Sequence, residues 1–564
     1  MKIINALPPE VKKGQFISFD FEMFQQELGR LHRPHGTFAC ISIAVEGLPD
    51  VYQLYDHNDL RKVYSLIKKG TWVCHNALYD LRQFKRYVNV SPRFMWDTML
   101  ADQSMQGGLY QTFGLDDLVR RWLGRVMPKD EQKNFGKVNE MTPAMKQYAA
   151  DDAMSTLEVA LKQREEYEGH PNFAAYLTAD EPMIFPVLDM QGFSVDVDRW
   201  LDMVNGFQLR ANQLEDELEV NVMSHVQVKA KAKTLGLNLQ NTSATTLAGF
   251  LDNKFIQKVI EARMYRKAVS TYGEKWLNNV ESDGKVYADY HITGASMTGR
   301  LSCSNPNMQN IPQRKLPQYR DMFIASKGSV IAVEDIAQQE PCITAYETKD
   351  QNLIQAIINK EDLHLSVARN IFDNPKLTKK NKEERSIGKA INLGTSYGLT
   401  AYGLSSRLDM PLETAEKFIS QYFRKYRGVF SWIQSQRQAG YARGYVQTAL
   451  GRRSFLNTYN NGWENNAINS PIQGGAADFS KVWVNKLWKY SNEAGIPFTL
   501  CGMVHDEVVR DIPKKILKES KEVQARAFQD TAEQLYPGIP FTLESEYGTS
   551  WSAKNLSTVE VPSE

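Results

Sequence analysis

The sequence has no excess of charge of either sign. Lys and Arg total 67, Asp and Glu total 66, and the formal net charge is +1. Composition therefore gives no sign of a nucleic-acid partner, and any basic surface must be local and balanced by acidic patches elsewhere. Taken alone, this balance favours a metabolic enzyme.

Cysteine is scarce, and long apolar runs are missing. The five cysteines include no CxxC pair, so neither a disulfide framework nor a zinc site is expected, which agrees with a reducing, cytoplasmic location. The N-terminal segment lacks the apolar core of a signal peptide, and no run of about 18 apolar residues is present, so we expect no membrane partner. The cysteines are Cys40, Cys74, Cys303, Cys342 and Cys501.

The 564 residues suggest about three or four domains. Strand patterns alternate with helical ones over roughly the first 170 residues, which predicts an α/β layer fold. A polar stretch at 164–172 is a predicted linker. Helical patterns then dominate 176–290 and 346–440, and residues 498–511 are typical of two strands joined by a turn.

The segment FISFDFE places Asp20 and Glu22 two residues apart on a predicted strand. Successive side chains of a strand alternate between its faces, so both carboxylates point the same way. Two like charges on an apolar strand repel unless a cation lies between them, which indicates a metal site. The alternative is a strand end that meets solvent.

Two further segments carry acids in helical contexts. HNALYDLRQF places Asp80 in the first turn of a helix that follows a strand, and YAADDAMSTLEVA places Tyr148 and Asp152 four residues apart on one helix face. Acids on helices usually form a solvated face, but these three residues lie among apolar neighbours, which is less usual.

A second pair of carboxylates lies in the C-terminal half. SVIAVEDIAQQE predicts a buried strand that ends at Asp335, and TLCGMVHDEVVRDI predicts a hairpin with His505 and Asp506 at its turn. An Asp in a hairpin turn is normally turn chemistry, and the residues alone do not bring the two segments together.

The segment EERSIGKAINLGTSYG places four residues at intervals of four, which gives one stripe along a helix. Cations followed by an apolar and an aromatic residue suit a nucleoside triphosphate, because Arg and Lys bind phosphates and a ring packs on base and sugar. The alternative for its charged start is a solvated face. The stripe consists of Arg385, Lys389, Leu393 and Tyr397.

Together these segments resemble family A, the bacterial DNA polymerase I family, with its DEDD-type 3′→5′ exonuclease domain. DIAQQE resembles motif A, residues 383–398 motif B and VHDE motif C, and the resemblance covers about 14–555. It implies an α/β multi-domain fold: an RNase H-like exonuclease domain and a right-hand polymerase. The implied boundaries are 1–175 exonuclease, 176–295 thumb, 296–345 first palm part, 346–440 fingers and 441–564 second palm part.

For the exonuclease domain, the resemblance implies that Asp20, Glu22, Asp80 and Asp152 hold two Mg²⁺, or Mn²⁺ as the alternative, and that Tyr148 orients the attacking water. Hard cations prefer such oxygen ligands, and a metal pair suits phosphodiester hydrolysis. All expected ligands are present, so an active proofreading site is expected.

For the polymerase, the resemblance implies that Asp335 and Asp506 hold two further catalytic Mg²⁺ ions, with the backbone carbonyl of Ile336 as an additional ligand and Glu507 beside them. It assigns the incoming dNTP to residues of the fingers and palm, among which Lys389 also protonates pyrophosphate and Glu340 excludes a ribose 2′-OH. The implied dNTP contacts are Arg385, Lys389, Leu393, Tyr397, Glu340 and His364.

Contacts to primer-template DNA are implied for Arg300, Gln473 and His505. Donors of this kind suit the minor groove, where A·T and T·A present similar acceptors, so that base-pair shape is tested without reading sequence. The two-activity layout resembles phage replicative polymerases, which predicts a role in phage genome replication in the host cytoplasm. A helicase, a primase or a processivity factor is a further candidate partner.

The chain departs from the family pattern at four positions, Ile336, Cys342, Leu393 and Asn465, none of which removes a metal ligand. Because Leu393 lacks a phenolic hydroxyl, we expect dideoxynucleotides to be disfavoured. Two alternatives remain at this point: a nuclease whose polymerase half only holds DNA, and a non-catalytic DNA-binding scaffold.

Overall fold

The structure is a computed structural model of the 564-residue chain. It describes residues 1–24, 36–90, 95–127, 135–170, 173–396, 398–504 and 506–552.

The N-terminal layer is a six-stranded mixed sheet with the strand order β1-β4-β3-β2-β5-β6. β2 lies at its centre, antiparallel to β3 and parallel to β5. Nearly every residue of β2 is buried, because helices cover the sheet. The strands are β1 (Ile3–Ile4), β2 (Phe16–Phe24), β3 (Thr37–Val45), β4 (Val51–Leu54), β5 (Thr71–Cys74) and β6 (Met95–Asp97).

Among the described residues, five α-helices accompany this sheet, and the longest, α5, packs across β2 and β3. The Ser18 hydroxyl on β2 donates to the carbonyl of Ala153 on α5, and the Gln53 amide on β4 donates to the carbonyl of Lys146 at 2.7 Å. The predicted α/β layer is therefore present. The helices are α1 (Leu60–Ile67), α2 (Ala77–Lys85), α3 (Thr98–Met105), α4 (Leu115–Leu123) and α5 (Pro143–Tyr167).

The predicted linker at 164–172 is shorter than expected, because α5 continues to Tyr167 and a helical segment starts at Phe173. This segment consists of α6 (Phe173–Ala175), a π-helical turn (Tyr176–Asp180) and α7 (Ile184–Leu188). Its apolar side chains, such as Tyr176 and Ile184, belong to the same buried core as the N-terminal sheet and the C-terminal half.

The predicted thumb has two long helices that pack against each other, α8 and α11, joined by shorter ones. Their outer ends enclose a small core of their own, which includes Leu214, Val228 and Val259. The helices are α8 (Val197–Leu218), α9 (His225–Thr234), α10 (Ala244–Ala248) and α11 (Lys254–Tyr272).

The helical prediction for 176–290 is wrong at one short strand, β7, where an alternating pattern of only three residues is too short to be recognised. The strands that begin with β8 lie where the helical pattern ends, at about residue 285. β7 pairs with both β8 and β11, and β9 and β10 form a separate hairpin. The next elements are β7 (Phe193–Val195), β8 (Lys285–Val286), β9 (Asp289–Ala295), β10 (Arg300–Ser304), α12 (Gln318–Asp321), β11 (Phe323–Ile324) and β12 (Ser329–Ala337).

Every regular element among the described residues of the predicted fingers is a helix, as their sequence pattern indicates. Asp350 and Asp362 begin two of these helices by accepting hydrogen bonds from the backbone NH groups of Leu353 and Leu365. The helices are α13 (Gln339–Thr348), α14 (Gln351–Ile358), α15 (Leu363–Ile371), α16 (Lys382–Ser396), α17 (Ala401–Leu408), α18 (Leu412–Lys425) and α19 (Arg427–Arg443).

The C-terminal part completes an antiparallel sheet with the order β15-β16-β12-β17. The long helix α20 is almost wholly buried from Ala467 to Asn485 and packs on α13, α19 and α21. The elements are β13 (Tyr445–Gln447), β14 (Arg453–Phe455), α20 (Trp463–Glu493), β15 (Leu500–Val504), β16 (Glu507–Pro513), α21 (Leu517–Leu535) and β17 (Thr542–Gly548).

All five cysteines lie within the described ranges, are buried and form no disulfide. Across those same ranges, none of the helices combines the length and the apolar character that crossing a bilayer would need.

Candidate active sites

The N-terminal carboxylates converge on one point of the sheet. Oxygen atoms of Asp20, Glu22 and Asp152 lie within 4.8 Å of one another. Asp20 and Glu22 are on β2, and Asp152 comes from α5, which crosses that strand. Asp80, at the first turn of α2, accepts a hydrogen bond from the backbone NH of Phe21 at 3.0 Å, which fixes it beside the same strand.

Asp97 determines how α2 presents Asp80. Its carboxylate accepts hydrogen bonds from the backbone NH groups of Asn76 at 3.2 Å and Ala77 at 2.8 Å, at the start of α2. It also caps α3 by accepting from Leu100 at 3.0 Å. Sequence reasoning missed this role, although Asp is one of the residues preferred at the N-cap position that Asp97 occupies before α3.

Electrostatic repulsion is concentrated at this N-terminal cluster. Burial raises the pKa of Asp20 to about 7. Burial, and then the charges of Asp20 and Asp152, raise the pKa of Glu22 well above its usual range. Burial and the neighbouring Asp152 also raise the pKa of Tyr148, which hydrogen-bonds to Asp152.

A carboxylate oxygen of Asp20 is left without a hydrogen bond within the described part of the chain. Asp20 Oδ2 is buried and has no hydrogen-bond partner among the described residues. Buried carboxylates that repel one another, with an oxygen left over, are stabilised by hard divalent cations, which prefer oxygen ligands. The donor set therefore fits the implied metals, and the predicted residues Asp20, Glu22, Asp80, Tyr148 and Asp152 are all brought together.

The second pair of acids meets at the end of the C-terminal sheet. In the register of β12 and β16, Asp335 lies opposite Glu507, and Asp506 occupies the turn just before β16. Burial raises the pKa of Asp335 to about 7, and the charges of Asp506, Glu507 and Glu544 add to the effect. β12 continues two residues beyond its predicted end at Asp335, so Ile336 is buried within the strand.

Glu507 is engaged elsewhere. Both of its oxygens accept from Nη1 of Arg320 at 3.0 Å, and one accepts from Nε1 of Trp551 at 2.6 Å. The Arg320 guanidinium also lies 4.3 Å from the centre of the Trp551 ring. Sequence reasoning placed Glu507 beside the metals but did not predict either partner, since both are distant in the chain.

The cationic residues of α16 gather near the start of α15. Arg385 Nε donates to Asp362 at 2.8 Å, and Lys389 is exposed. Burial lowers the pKa of His364, and the nearby charges of Arg385 and Lys389 lower it further. The three predicted phosphate-binding residues therefore lie near one another, with the Arg385 guanidinium paired to Asp362.

Close packing of the two helices makes this grouping possible. A Cβ at Gly388 of α16 would lie 2.8 Å from the backbone nitrogen of Ala368 on α15. Further along α16, Leu393 is half-buried. The predicted base and sugar contact Tyr397 lies outside the described residues.

Among the predicted DNA contacts, Arg300 on β10 donates from Nη2 to Glu340 at 2.8 Å, which joins it to the predicted sugar-selecting residue. Gln473 is half-buried on α20, just after Pro471. His505 lies outside the described residues.

Comparison with known families agrees with this pair of carboxylate sites. The family described as "DNA polymerase family A" matches residues 203–553, and the family described as "3'-5' exonuclease" matches residues 5–168. The first match covers more than half of the chain, so the chain belongs to DNA polymerase family A. It carries a 3′→5′ exonuclease domain followed by a polymerase domain, and its function is template-directed DNA synthesis.

The chain is similar to DNA polymerase I of Aquifex aeolicus, with 28% identity over 543 residues, 89% of this chain and 91% of that protein. The thermostable DNA polymerase I of Thermus aquaticus is 33% identical over 352 residues, 60% of this chain and 41% of that protein. A solved structure titled "POL domain of Pol1 from M. smegmatis complex with DNA primer-template and dNTP" has a TM-score of 0.82 at 24% identity. The match covers 97% of this chain and 99% of that one, and it supports the fold.

Proposed function

We propose that the two carboxylate sites are a 3′→5′ proofreading centre and a DNA polymerising centre, each served by two Mg²⁺ ions, with Mn²⁺ as the alternative. The observation that carries this proposal is the convergence of two separate acid groups, one on β2 and one where the end of β12 lies beside the β15–β16 turn. When bound, such cations neutralise phosphate charge and activate the attacking oxygen at each site.

In the exonuclease site, Asp20, Glu22, Asp80 and Asp152 would hold the ions. Tyr148 donates its phenolic proton toward Asp152, which keeps the ring beside the acids and lets the hydroxyl orient a water molecule. Since burial and the neighbouring charges keep the Tyr148 phenol protonated, it acts by positioning rather than as a base.

In the polymerase site, Asp335 and Asp506 would hold the ions, with the Ile336 carbonyl as a further ligand. The exposed ammonium of Lys389 is free to reach a triphosphate and to protonate the departing pyrophosphate, while Arg385 binds the phosphates from the same helix face.

Further dNTP and DNA contacts follow the same logic. His364 lies beside the two cations of α16 and would bind a phosphate, and Leu393 and Tyr397 would pack on the base and sugar. Glu340 would exclude a 2′-OH, which makes the substrates deoxyribonucleotides. Minor-groove contacts to primer-template DNA are proposed for Arg300, Gln473 and His505. Their support is the position of Arg300 beside Glu340 and of Gln473 on α20.

A cytoplasmic location, a role in phage genome replication and a helicase, primase or processivity factor as partner stay predictions. The domain boundaries also stay predictions.

Primer extension and trimming by three proteins test the proposal. Asp335→Ala should lose extension and keep trimming of a single-stranded oligonucleotide, and Asp20→Ala/Glu22→Ala should do the reverse, while the unchanged chain does both. A chain that trims but does not extend would be a nuclease with a DNA-holding half. A chain that does neither would be a scaffold.

A further inference from the structure

A buried cluster of charges lies where the exonuclease domain, the β13–β14 turn and α20 meet. Asp180, Arg452, Asp478 and Lys481 are each at most 1% exposed. Arg452 donates to both oxygens of Asp180 at 2.8 Å and from Nε to Asp478 at 2.7 Å. Lys481 donates to Asp180 at 2.5 Å. Two cations thus face two carboxylates, and the planar Arg452 guanidinium is fixed from two sides.

Asp180 belongs to the segment that leaves the exonuclease domain. It ends the π-helical turn and accepts a hydrogen bond from the Ser104 hydroxyl on α3. Burial would raise the pKa of Asp180, but Arg452 and Lys481 lower it to about 2, so the carboxylate stays ionised. None of the proposed chemistry uses this residue.

Arg452 packs against the two segments that carry the proposed DNA contacts Arg300 and Gln473. A Cβ at Gly299, where φ is +68°, would lie 2.6 Å from Cζ and Nε of Arg452, and Arg300 follows directly. On α20, a Cβ at Gly474 would lie 4.0 Å from Cδ of Arg452, and Gln473 directly precedes it. The turn that carries Arg300 and the segment that carries Gln473 therefore both rest against one side chain.

The exonuclease domain also contacts the β9–β10 hairpin, whose turn leads into Arg300, and the neighbouring strand β14. The carbonyl of Gly107 accepts from the backbone NH of Phe455 on β14 at 2.9 Å, and a Cβ at Gly107 would meet the carbonyl of Ser296. Thr293 on β9 donates from its hydroxyl to Gln103 of α3. The β9–β10 hairpin is therefore packed between the exonuclease domain and the β13–β14 turn that carries Arg452.

We propose that Asp180 is a positioning residue for the minor-groove contacts. Through Arg452 it holds the turn that carries Arg300 and the α20 segment that carries Gln473, and so it makes the polymerase's test of the primer terminus depend on the docked exonuclease domain. This inference rests on the proposed function, because the DNA roles of Arg300 and Gln473 are part of it.

The test compares Asp180→Asn with a matched change at the same domain junction. Asp189 also links the two domains, because its carboxylate accepts hydrogen bonds from Lys85 on α2 at 2.6 Å and from Trp488 on α20 at 2.8 Å. Neither of these partners belongs to the β13–β14 turn that carries Arg452. Asp189→Asn therefore disturbs the junction without disturbing the two donors.

Both changes are made in the Asp20→Ala/Glu22→Ala background, and single-nucleotide extension is measured from matched and mismatched primer ends. We expect Asp180→Asn to lower matched kcat/KM about tenfold and to reduce matched-over-mismatched discrimination by a similar factor, because a small misplacement of binding groups is enough for such losses. Asp189→Asn and the conservative Asp180→Glu, which keeps the carboxylate, should stay closer to the parent.

Trimming of a single-stranded oligonucleotide, measured for Asp180→Asn with the exonuclease acids intact, should be unchanged, since no minor groove is involved. Folded Asp180→Asn with unchanged discrimination would overturn the proposal. If Asp180→Asn does not fold, Ser104→Ala carries the test, because it keeps all four charges. It should shift discrimination in the same direction by about twofold, and no shift would likewise overturn the proposal.

Arg300→Ala in the same assay separates the proposed DNA contact of Arg300 from the proposed positioning role of Asp180. If Arg300→Ala lowers discrimination while Asp180→Asn does not, the positioning role fails alone. If Arg300→Ala has no effect either, the proposed DNA contact fails, and the positioning role fails with it.

Discussion

The two carboxylate sites differ in how their acids are held. In the exonuclease site Asp20, Glu22 and Asp152 are half-buried and close together, and Asp20 keeps a buried oxygen without a partner among the described residues. In the polymerase site Asp506 is exposed at a turn, and Glu507 is bound by Arg320 and Trp551. The first site thus concentrates carboxylates that repel one another, whereas the second has one acid open to solvent and another held by partners of its own.

The largest expected effect separates the roles of Asp506 and Glu507, which are adjacent in the chain at the polymerase site. Asp506→Asn should lower extension about a thousandfold, because it removes a proposed ligand of both ions. Glu507→Gln should cost about tenfold or less, since the Glu507 carboxylate is held by Arg320 and Trp551. Single-turnover extension measures both, with single-strand trimming as the internal control. Equal losses would show that Glu507 serves the metals directly.

The buried pair of Arg320 and Glu507 should matter for stability instead. Arg320→Met leaves the Glu507 carboxylate buried without its cation, a change that typically costs about 3–5 kcal/mol. Denaturant unfolding measures the loss. Lys69→Met, which breaks the exposed pair between Lys69 and Glu10, is the control and should leave the midpoint unchanged. A small effect of Arg320→Met would mean that water reaches Glu507.

The nucleotide side of the polymerase site gives the next effect. Leu393 lacks a phenolic hydroxyl, so the unchanged enzyme should prefer dNTP to ddNTP, and Leu393→Tyr should narrow the preference by about tenfold or more. Steady-state incorporation of each nucleotide opposite the same template base measures the ratio, with Leu393→Phe as the control that adds a ring without the hydroxyl. Near-equal use of ddNTP and dNTP by the unchanged enzyme would contradict the expectation.

The smallest effect is a pH-dependent stabilisation by metal. The pKa of Asp20 is raised to about 7, so the folded chain binds more protons than the unfolded one between its usual pKa and that value. Without divalent cations, stability should therefore fall as pH rises from about 4 to about 7. At about pH 7.5, Mg²⁺ should raise the unfolding midpoint by about 2–4 °C, and at about pH 5 by less.

Two substitutions connect this effect with the difference between the sites. Asp20→Asn should remove most of the Mg²⁺ response and raise the midpoint in EDTA, since it relieves repulsion with Glu22 and Asp152. Asp335→Asn should remove a smaller part, because its neighbour Asp506 is exposed. If Asp335→Asn removed more of the Mg²⁺-induced shift in the unfolding midpoint than Asp20→Asn does, the repulsion between carboxylates would be stronger at the polymerase site, contrary to this expectation.

Much of this arrangement could be predicted from sequence. Alternation along the strand predicts that Asp20 and Glu22 share a face, and the family resemblance is what joins Asp335 to Asp506. Local patterns could not predict the Glu507 partners, because Arg320 lies 187 residues away and Trp551 belongs to the last described segment. Long-range pairing depends on tertiary packing, which periodicity does not encode.

The junction between the domains was also beyond sequence reasoning. The segment GRR at 451–453 is equally typical of a surface turn and of a phosphate contact, yet Arg452 is buried against Asp180, 272 residues earlier. The short strand β7 was missed for a similar reason, since its three residues become a strand by pairing with the distant segments Lys285–Val286 and Phe323–Ile324.

The paired helices α8 and α11 separate two cores that share no buried residue. Trp200 and Ala268 anchor their inner ends in the main core, whereas Leu214 and Val259 lie in the outer one. The 22 residues of α8 span about 33 Å, so the helix pair sets the distance between the two cores. Removing two turns from each helix would draw the outer end inward by about 10 Å. The distance between the two cores could therefore change without altering either carboxylate site.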